Sequence, residues 1–226
     1  MKIAIFSDIH SCYSKMAAVF KDMEKYQIDQ FVCLGDLIGY GDQPEETVNL
    51  LMEKKVISVR GNHELAMFSK RYLDCFPMFI KQPLLDNIAV LSDKSVQYLK
   101  NTPDYLKLDN CHFVHGSPPD RITTYIYDVT DDALETIFNT SDAQIFFTGH
   151  THKLKLITYK DNIVLRQSIA KNCTIHLEED QKYLLNVGSI GFSRDDSDAS
   201  KYAIYDTLNK CIIVRMVTKV TGFSPT

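Results

Sequence analysis

Side chains that can bind a metal or move a proton recur in this chain directly after short apolar runs. The clearest case is Val59-Arg60-Gly61-Asn62-His63-Glu64, where the run Val56-Ile57-Ser58-Val59 stops at a glycine. Asn62 offers a neutral carbonyl oxygen, and His63 offers a ring nitrogen or a proton. Asp8 and His10 follow Ile3 to Phe6, Asp36 follows Phe31 to Leu34, His115 follows Cys111 to Val114, and His150 and His152 follow Ile145 to Phe147. Of the seven histidines, only His112 and His176 fall elsewhere. Taken singly, each of these positions reads as an ordinary turn or capping residue. A mixed set of carboxylate, imidazole and amide oxygen suits borderline divalent transition metals better than calcium or magnesium. The eight groups (Asp8, His10, Asp36, Asn62, His63, His115, His150 and His152) are too many for one tetrahedral ion. Two ions sharing a bridging carboxylate fit them better.

The elements needed to gather these groups are legible. Ile3 to Phe6 predicts a buried strand, and Tyr13 to Tyr26 a helix with Met16, Ala17, Phe20 and Met23 on one face. Phe31 to Leu34 predicts a second strand, Pro44 an early helix position, and Val56 to Val59 a third strand. This alternation predicts parallel strands whose carboxyl ends share one edge. Residues 65–101 read mostly helical, with breaks at Phe76-Pro77 and Gln82-Pro83 and a cap at Ser92 or Asp93. Leu106 to Leu108 and Cys111 to Val114 predict a hairpin, Asp131 to Asn139 a helix, and Ile145 to Phe147 a strand. Beyond His152 the chain alternates short strands and turns, from Lys153 to Val217. A βα-rich first half and a β-rich second half predict two facing sheets with helices outside, in one domain over residues 1–226.

Composition narrows the function classes. At 226 residues the chain can bury roughly 70% of its unfolded surface, so it needs no staples. The net charge of −4 argues against nucleic acid as a partner. Six scattered cysteines contain no Cys-x-x-Cys pair, and they read as reduced thiols of a cytoplasmic protein. The N-terminus is interrupted by charge too early for a signal peptide, and no run of about 18 apolar residues predicts a membrane span.

The ordered set Asp8-Ile9-His10, Gly35-Asp36-x-x-Gly39, Gly61-Asn62-His63-Glu64, His115-Gly116 and Gly149-His150-Thr151-His152 resembles the five motifs of the calcineurin-like metallophosphoesterases. Asn186-Val187-Gly188-Ser189-Ile190-Gly191 is similar to a further turn of that family's small phosphodiesterase-like branch in bacteria and archaea, with Val187 in place of the usual proline. The resemblance implies an α/β fold: a four-layer α-β-β-α sandwich of two facing mixed sheets flanked by helices. It also implies two divalent transition-metal ions (Mn, Fe, Zn, Ni or Co, with Mn favoured for activity). Asp8, His10 and His152 would hold one ion, Asn62, His115 and His150 the other, and Asp36 would bridge them. A metal-bridging hydroxide would then attack a small phosphodiester or phosphomonoester. His63 would serve the leaving group, with Asp8 or Glu64 as its orienting partner.

Gly35-Asp36-Leu37-Ile38-Gly39-Tyr40-Gly41 lacks the phosphate-gripping arginine of the family's protein phosphatases. Arg194 is the candidate replacement, and its pairing with Asp195 or Asp196 is the competing expectation. Tyr40, Tyr125 and Tyr127 are candidates to line a substrate pocket. A non-catalytic scaffold on the same fold and a nuclease are the rival readings, and a homo-oligomer stays open.

Overall fold

The computed structural model describes residues 1–218; residues 219–226 of the expected domain lie outside the described residues. Its strands are β1 (Lys2–Phe6), β2 (Gln30–Cys33), β3 (Ile57–Ser58), β4 (Tyr105–Leu108), β5 (Cys111–Val114), β6 (Ile145–Thr148), β7 (Leu154–Lys160), β8 (Ile163–Ser168), β9 (Cys173–His176), β10 (Lys182–Val187), β11 (Ser200–Asp206) and β12 (Cys211–Val217). Its helices are α1 (Tyr13–Met23), α2 (Pro44–Glu53), α3 (Asn62–Phe68), α4 (Lys70–Leu73), α5 (Met78–Val90), α6 (Asp93–Lys100) and α7 (Asp131–Thr140).

Two six-stranded mixed sheets result, ordered β3-β2-β1-β11-β12-β9 and β4-β5-β6-β10-β7-β8. In the first, β1 runs parallel to β2 and antiparallel to β11, and β2 runs parallel to β3. In the second, β6 runs parallel to both β5 and β10. The apolar run of β1 serves two layers, because successive side chains of a strand point to opposite faces. Ile3 and Ile5 lie between the sheets with Phe113, Phe147, Leu185 and Ile212. Ala4 and Phe6 lie under the outer helices with Met16, Val19, Val48 and Leu84. On the far side, Leu134 and Phe138 of α7 cover Phe146, Ile157 and Leu184. Each such buried aliphatic or aromatic side chain contributes roughly 1.5–3 kcal/mol. These layers are the expected α-β-β-α sandwich, and the carboxyl ends of β1, β2, β3, β5 and β6 carry the candidate ligands.

Two local expectations change. The break at Gln82-Pro83 is absent, because α5 runs through Pro83. Proline removes a hydrogen bond to the carbonyl four residues earlier. Here that carbonyl belongs to Phe79 in the first turn of α5, a residue that is 74% exposed. The third strand shrinks to Ile57–Ser58, an edge strand bonded on one side only, and α3 begins directly at Asn62. Ser92 is the observed cap of α6, accepting from the Ser95 N–H at 3.3 Å. Among the described residues, no helix is long and apolar enough to cross a membrane.

Candidate metal centre

Two ligand sets meet at Asp36. One is Asp8, His10, Asp36 and His152, and the other is Asp36, His115 and His150; within each set one ligand atom per residue lies within 4.8 Å of the others. All of these residues are buried. Asp36 Oδ2 lies 3.6 Å from His10 Nε2 and 3.4 Å from His115 Nε2, so one oxygen faces both sets. Asn62 joins the second set, its Oδ1 standing 3.0 Å from His115 Nε2.

Backbone carbonyls fix the orientation of every imidazole in the two sets. His10 Nδ1 faces Ile38 O at 3.2 Å, His115 Nδ1 faces Leu34 O at 2.7 Å, His152 Nδ1 faces Phe192 O at 2.5 Å, and His150 Nε2 faces Thr123 O at 3.3 Å. A carbonyl only accepts, so the proton sits on that nitrogen and the other nitrogen turns a lone pair inward. Those inward nitrogens crowd one another: His10 Nε2 and His152 Nε2 are 3.1 Å apart, as are His115 Nε2 and His150 Nδ1. Asp8 Oδ1 is buried without a hydrogen-bond partner, while Asp8 Oδ2 accepts the His150 N–H at 3.0 Å. Lone pairs and carboxylates converging at this range need compensating positive charge. These donors therefore fit two divalent cations, one per set, with Asp36 shared.

Local electrostatics reflect the same demand. Burial disfavours charge on His115, yet the Asp36 carboxylate beside it holds its pKa up to about 9. Burial drives His150 down to about 3, helped by the neighbouring His115. Burial opposes ionisation of Asp8, but His152 outweighs it and holds the carboxyl below the usual range.

The backbone is bent to hold this arrangement. Asp8 (φ 54°), His10 (51°), Asp36 (53°), His150 (67°) and His152 (59°) all lie in the left-handed region. That conformation costs roughly 1–2 kcal/mol per non-glycine residue. Such strain clusters where function requires it.

His63 lies outside both sets, with Nε2 4.0 Å from Asp36 Oδ2 and its backbone N–H on Asp36 Oδ1 at 2.9 Å. Its orienting partner is neither Asp8 nor Glu64. Nδ1 is buried without a partner, and the ring is held by shape between Tyr40 (5.1 Å between centroids), Phe76 (5.2 Å) and Gly39. Burial lowers its pKa, with Asp36 pulling the other way. Glu64 has a different task. Its carboxylate accepts the N–H groups of Gly61 and Asp36, each at 2.9 Å, and of Leu37 at 2.8 Å, joining two ligand loops. Burial and the adjacent Asp36 charge push its pKa up to about 7, against those hydrogen bonds. The Gly61-x-x-Glu64 spacing, that of a capping box, is the signal for this role.

A cavity of about 230 Å³ opens over the ligands, lined by Tyr40, His63, Phe76, Ile80, Tyr125 and Arg194 among others. Arg194 makes no ion pair with Asp195 or Asp196; Asp195 is bound by Lys201 at 3.2 Å. Tyr125 cannot stack a substrate ring, since one face lies on His150 (4.0 Å, 9°) and the other on Tyr127 (4.9 Å, 9°). Tyr127 does not line the cavity. Asn87 was not legible in the sequence. From within α5 it accepts from Ser11 Oγ at 2.5 Å and the Gly39 N–H at 2.7 Å, and it donates to Gly41 O at 2.9 Å. His112 is structural, stacked between Tyr105 and Phe146, and His176 is exposed.

A family model described as calcineurin-like phosphoesterase matches residues 1–154, and the chain belongs to that family. Membership implies a phosphoester hydrolase that uses divalent metal ions. An uncharacterized protein of Methanocaldococcus jannaschii is 32% identical over 220 residues, which cover 95% of this chain and 86% of that protein. A metallophosphoesterase of Sphaerobacter thermophilus superposes with a TM-score of 0.80 at 26% identity, over 96% of this chain and 89% of that one. A hypothetical protein of Pyrococcus horikoshii shares the fold, with a TM-score of 0.74 at 18% identity over 97% of this chain and 89% of its own.

Proposed function

We propose that this protein is a dinuclear metal-dependent phosphoesterase acting on small phosphodiesters in preference to monoesters. The observation that carries this reading is the pair of ligand sets sharing Asp36 at the floor of a cavity. Asp8, His10 and His152 would hold one ion, Asn62, His115 and His150 the other, and Asp36 would serve both. Two bound ions would acidify water and neutralise phosphoryl oxygens. His63 delivers a hydrogen bond or proton to the leaving oxygen. Tyr40 and Arg194 flank the phosphoryl group. Arg194 is the one lysine or arginine among the described residues lining the cavity, which suits the single negative charge of a diester better than a monoester dianion. The Phe76, Pro77 and Ile80 wall beside His63 suits an apolar ester substituent.

The test is a hydrolysis screen with manganese present, comparing aryl phosphodiesters, aryl monoesters, cyclic nucleotides and dinucleoside polyphosphates. Aryl diesters are expected to turn over fastest, and His150→Ala should lose both metal and turnover. Unchanged turnover in that variant would sink the ligand assignment.

Gly39 supplies a separate check on His63. It has φ +96°, and a Cβ there would lie 2.1 Å from His63 Nδ1. Gly39→Ala is expected to shift the ring and slow turnover by about 10²-fold, the scale of a 1 Å misplacement. Metal analysis alongside steady-state kinetics should find metal content retained.

A further inference from the structure

Among the described residues Lys201, in β11, is the one buried lysine, with 0% exposure. Its Nζ lies 3.2 Å from Asp195 Oδ2 and donates to Ser193 Oγ at 2.5 Å, Ser197 O at 3.1 Å and Ala199 O at 3.3 Å. All four partners belong to the segment 193–199, which carries Arg194. The same segment is fixed to the ligand loop. The Arg194 N–H donates to His152 O at 3.1 Å, and Asp195 Oδ2 accepts the Leu154 N–H at 3.0 Å. The preceding turn is shaped around the lysine stem, since a Cβ at Gly188 (φ +76°) would meet Lys201 Cδ at 2.8 Å. A buried ion pair is weak evidence for stability, because desolvation offsets its attraction. What this pair does provide is one fixed path for the segment on either side of Arg194, whose own side chain reaches the cavity.

We infer that Lys201 is a positioning residue for Arg194: it ties down the 193–199 segment so that the guanidinium stands at the cavity mouth and takes a non-bridging oxygen of the substrate's phosphoryl group. This rests on the phosphoesterase reading of the site. Lys201→Met keeps the volume of the stem and leaves Asp195 partly open to water, so the fold is expected to survive.

The experiment is calorimetric titration of inorganic phosphate into the manganese-loaded protein, with KM and kcat measured on an aryl phosphodiester. Lys201→Met should retain wild-type metal stoichiometry while its phosphate Kd and KM rise about tenfold, the scale of one charge-assisted hydrogen bond. Its kcat should fall less than KM rises. Arg194→Ala should show a similar loss, and the double variant should be no worse than Arg194→Ala alone. Asp195→Asn, which keeps an acceptor for Leu154, should move Kd in the same direction and carries the test if Lys201→Met does not fold. Wild-type phosphate affinity in both Lys201→Met and Asp195→Asn, or losses that add in the double variant, would overturn the positioning role. Failure of the wild-type protein to bind phosphate or hydrolyse any ester would instead overturn the reading beneath it.

Discussion

Asp36→Asn is expected to weaken metal binding in both ligand sets and to lower turnover by at least about 10²–10³-fold, the scale for losing one preorganised charge-stabilising group. Asparagine has nearly the same shape, and its Oδ1 can still accept the His63 N–H that Asp36 accepts at 2.9 Å. The changed atom is the one facing His10 at 3.6 Å and His115 at 3.4 Å. An amide there brings either a neutral oxygen or an NH₂ group against inward-turned lone pairs. Elemental analysis after dialysis against manganese, paired with steady-state kinetics, checks the result. If one ion stayed at wild-type affinity, Asp36 would belong to a single set rather than to both.

His63→Ala is expected to produce the opposite pattern: metal content retained and kcat lowered by about 10²–10⁴-fold, the range for a positioned proton donor. The distinction follows from geometry, because His63 Nε2 stands 4.0 Å from Asp36 Oδ2 and the ring is outside both ligand sets. Its neighbour Asn62 faces His115 Nε2 at 3.0 Å, so Asn62→Ala should release metal where His63→Ala does not. On this expectation, adjacent residues on the first turn of α3 would divide the work. Elemental analysis of the two variants side by side separates them, and loss of metal from His63→Ala would make it a ligand instead.

The sandwich was legible because polar, chemistry-bearing residues punctuate its apolar runs. Ile3 to Phe6 reads as buried from sequence, and the two sides of β1 are used separately, Ile3 and Ile5 between the sheets and Ala4 and Phe6 under the helices. Pro83 was misleading because a local rule for helix breaks ignores where the lost bond falls. At the exposed start of α5 that loss is tolerable. Asn87 and the unpartnered His63 Nδ1 carry no sequence signal, since their meaning arises from contacts made far along the chain; Lys201 carries none because a lysine reads as exposed, whereas here it is buried. Asn87 reaches Ser11 and Gly39, which are distant in sequence. Arg194 shows a different limit: adjacency to Asp195 suggests a pair, yet Asp195 is taken by Lys201, which follows it in β11.

Hydrolysis is expected to require two ions, held by the sets that meet at Asp36. The most direct test of that requirement is to titrate manganese into chelator-stripped protein while measuring bound ions and aryl phosphodiester hydrolysis in the same samples. Two ions are expected to bind per chain, with turnover rising as the second equivalent binds. Full turnover with a single bound ion, or with none, would contradict the requirement.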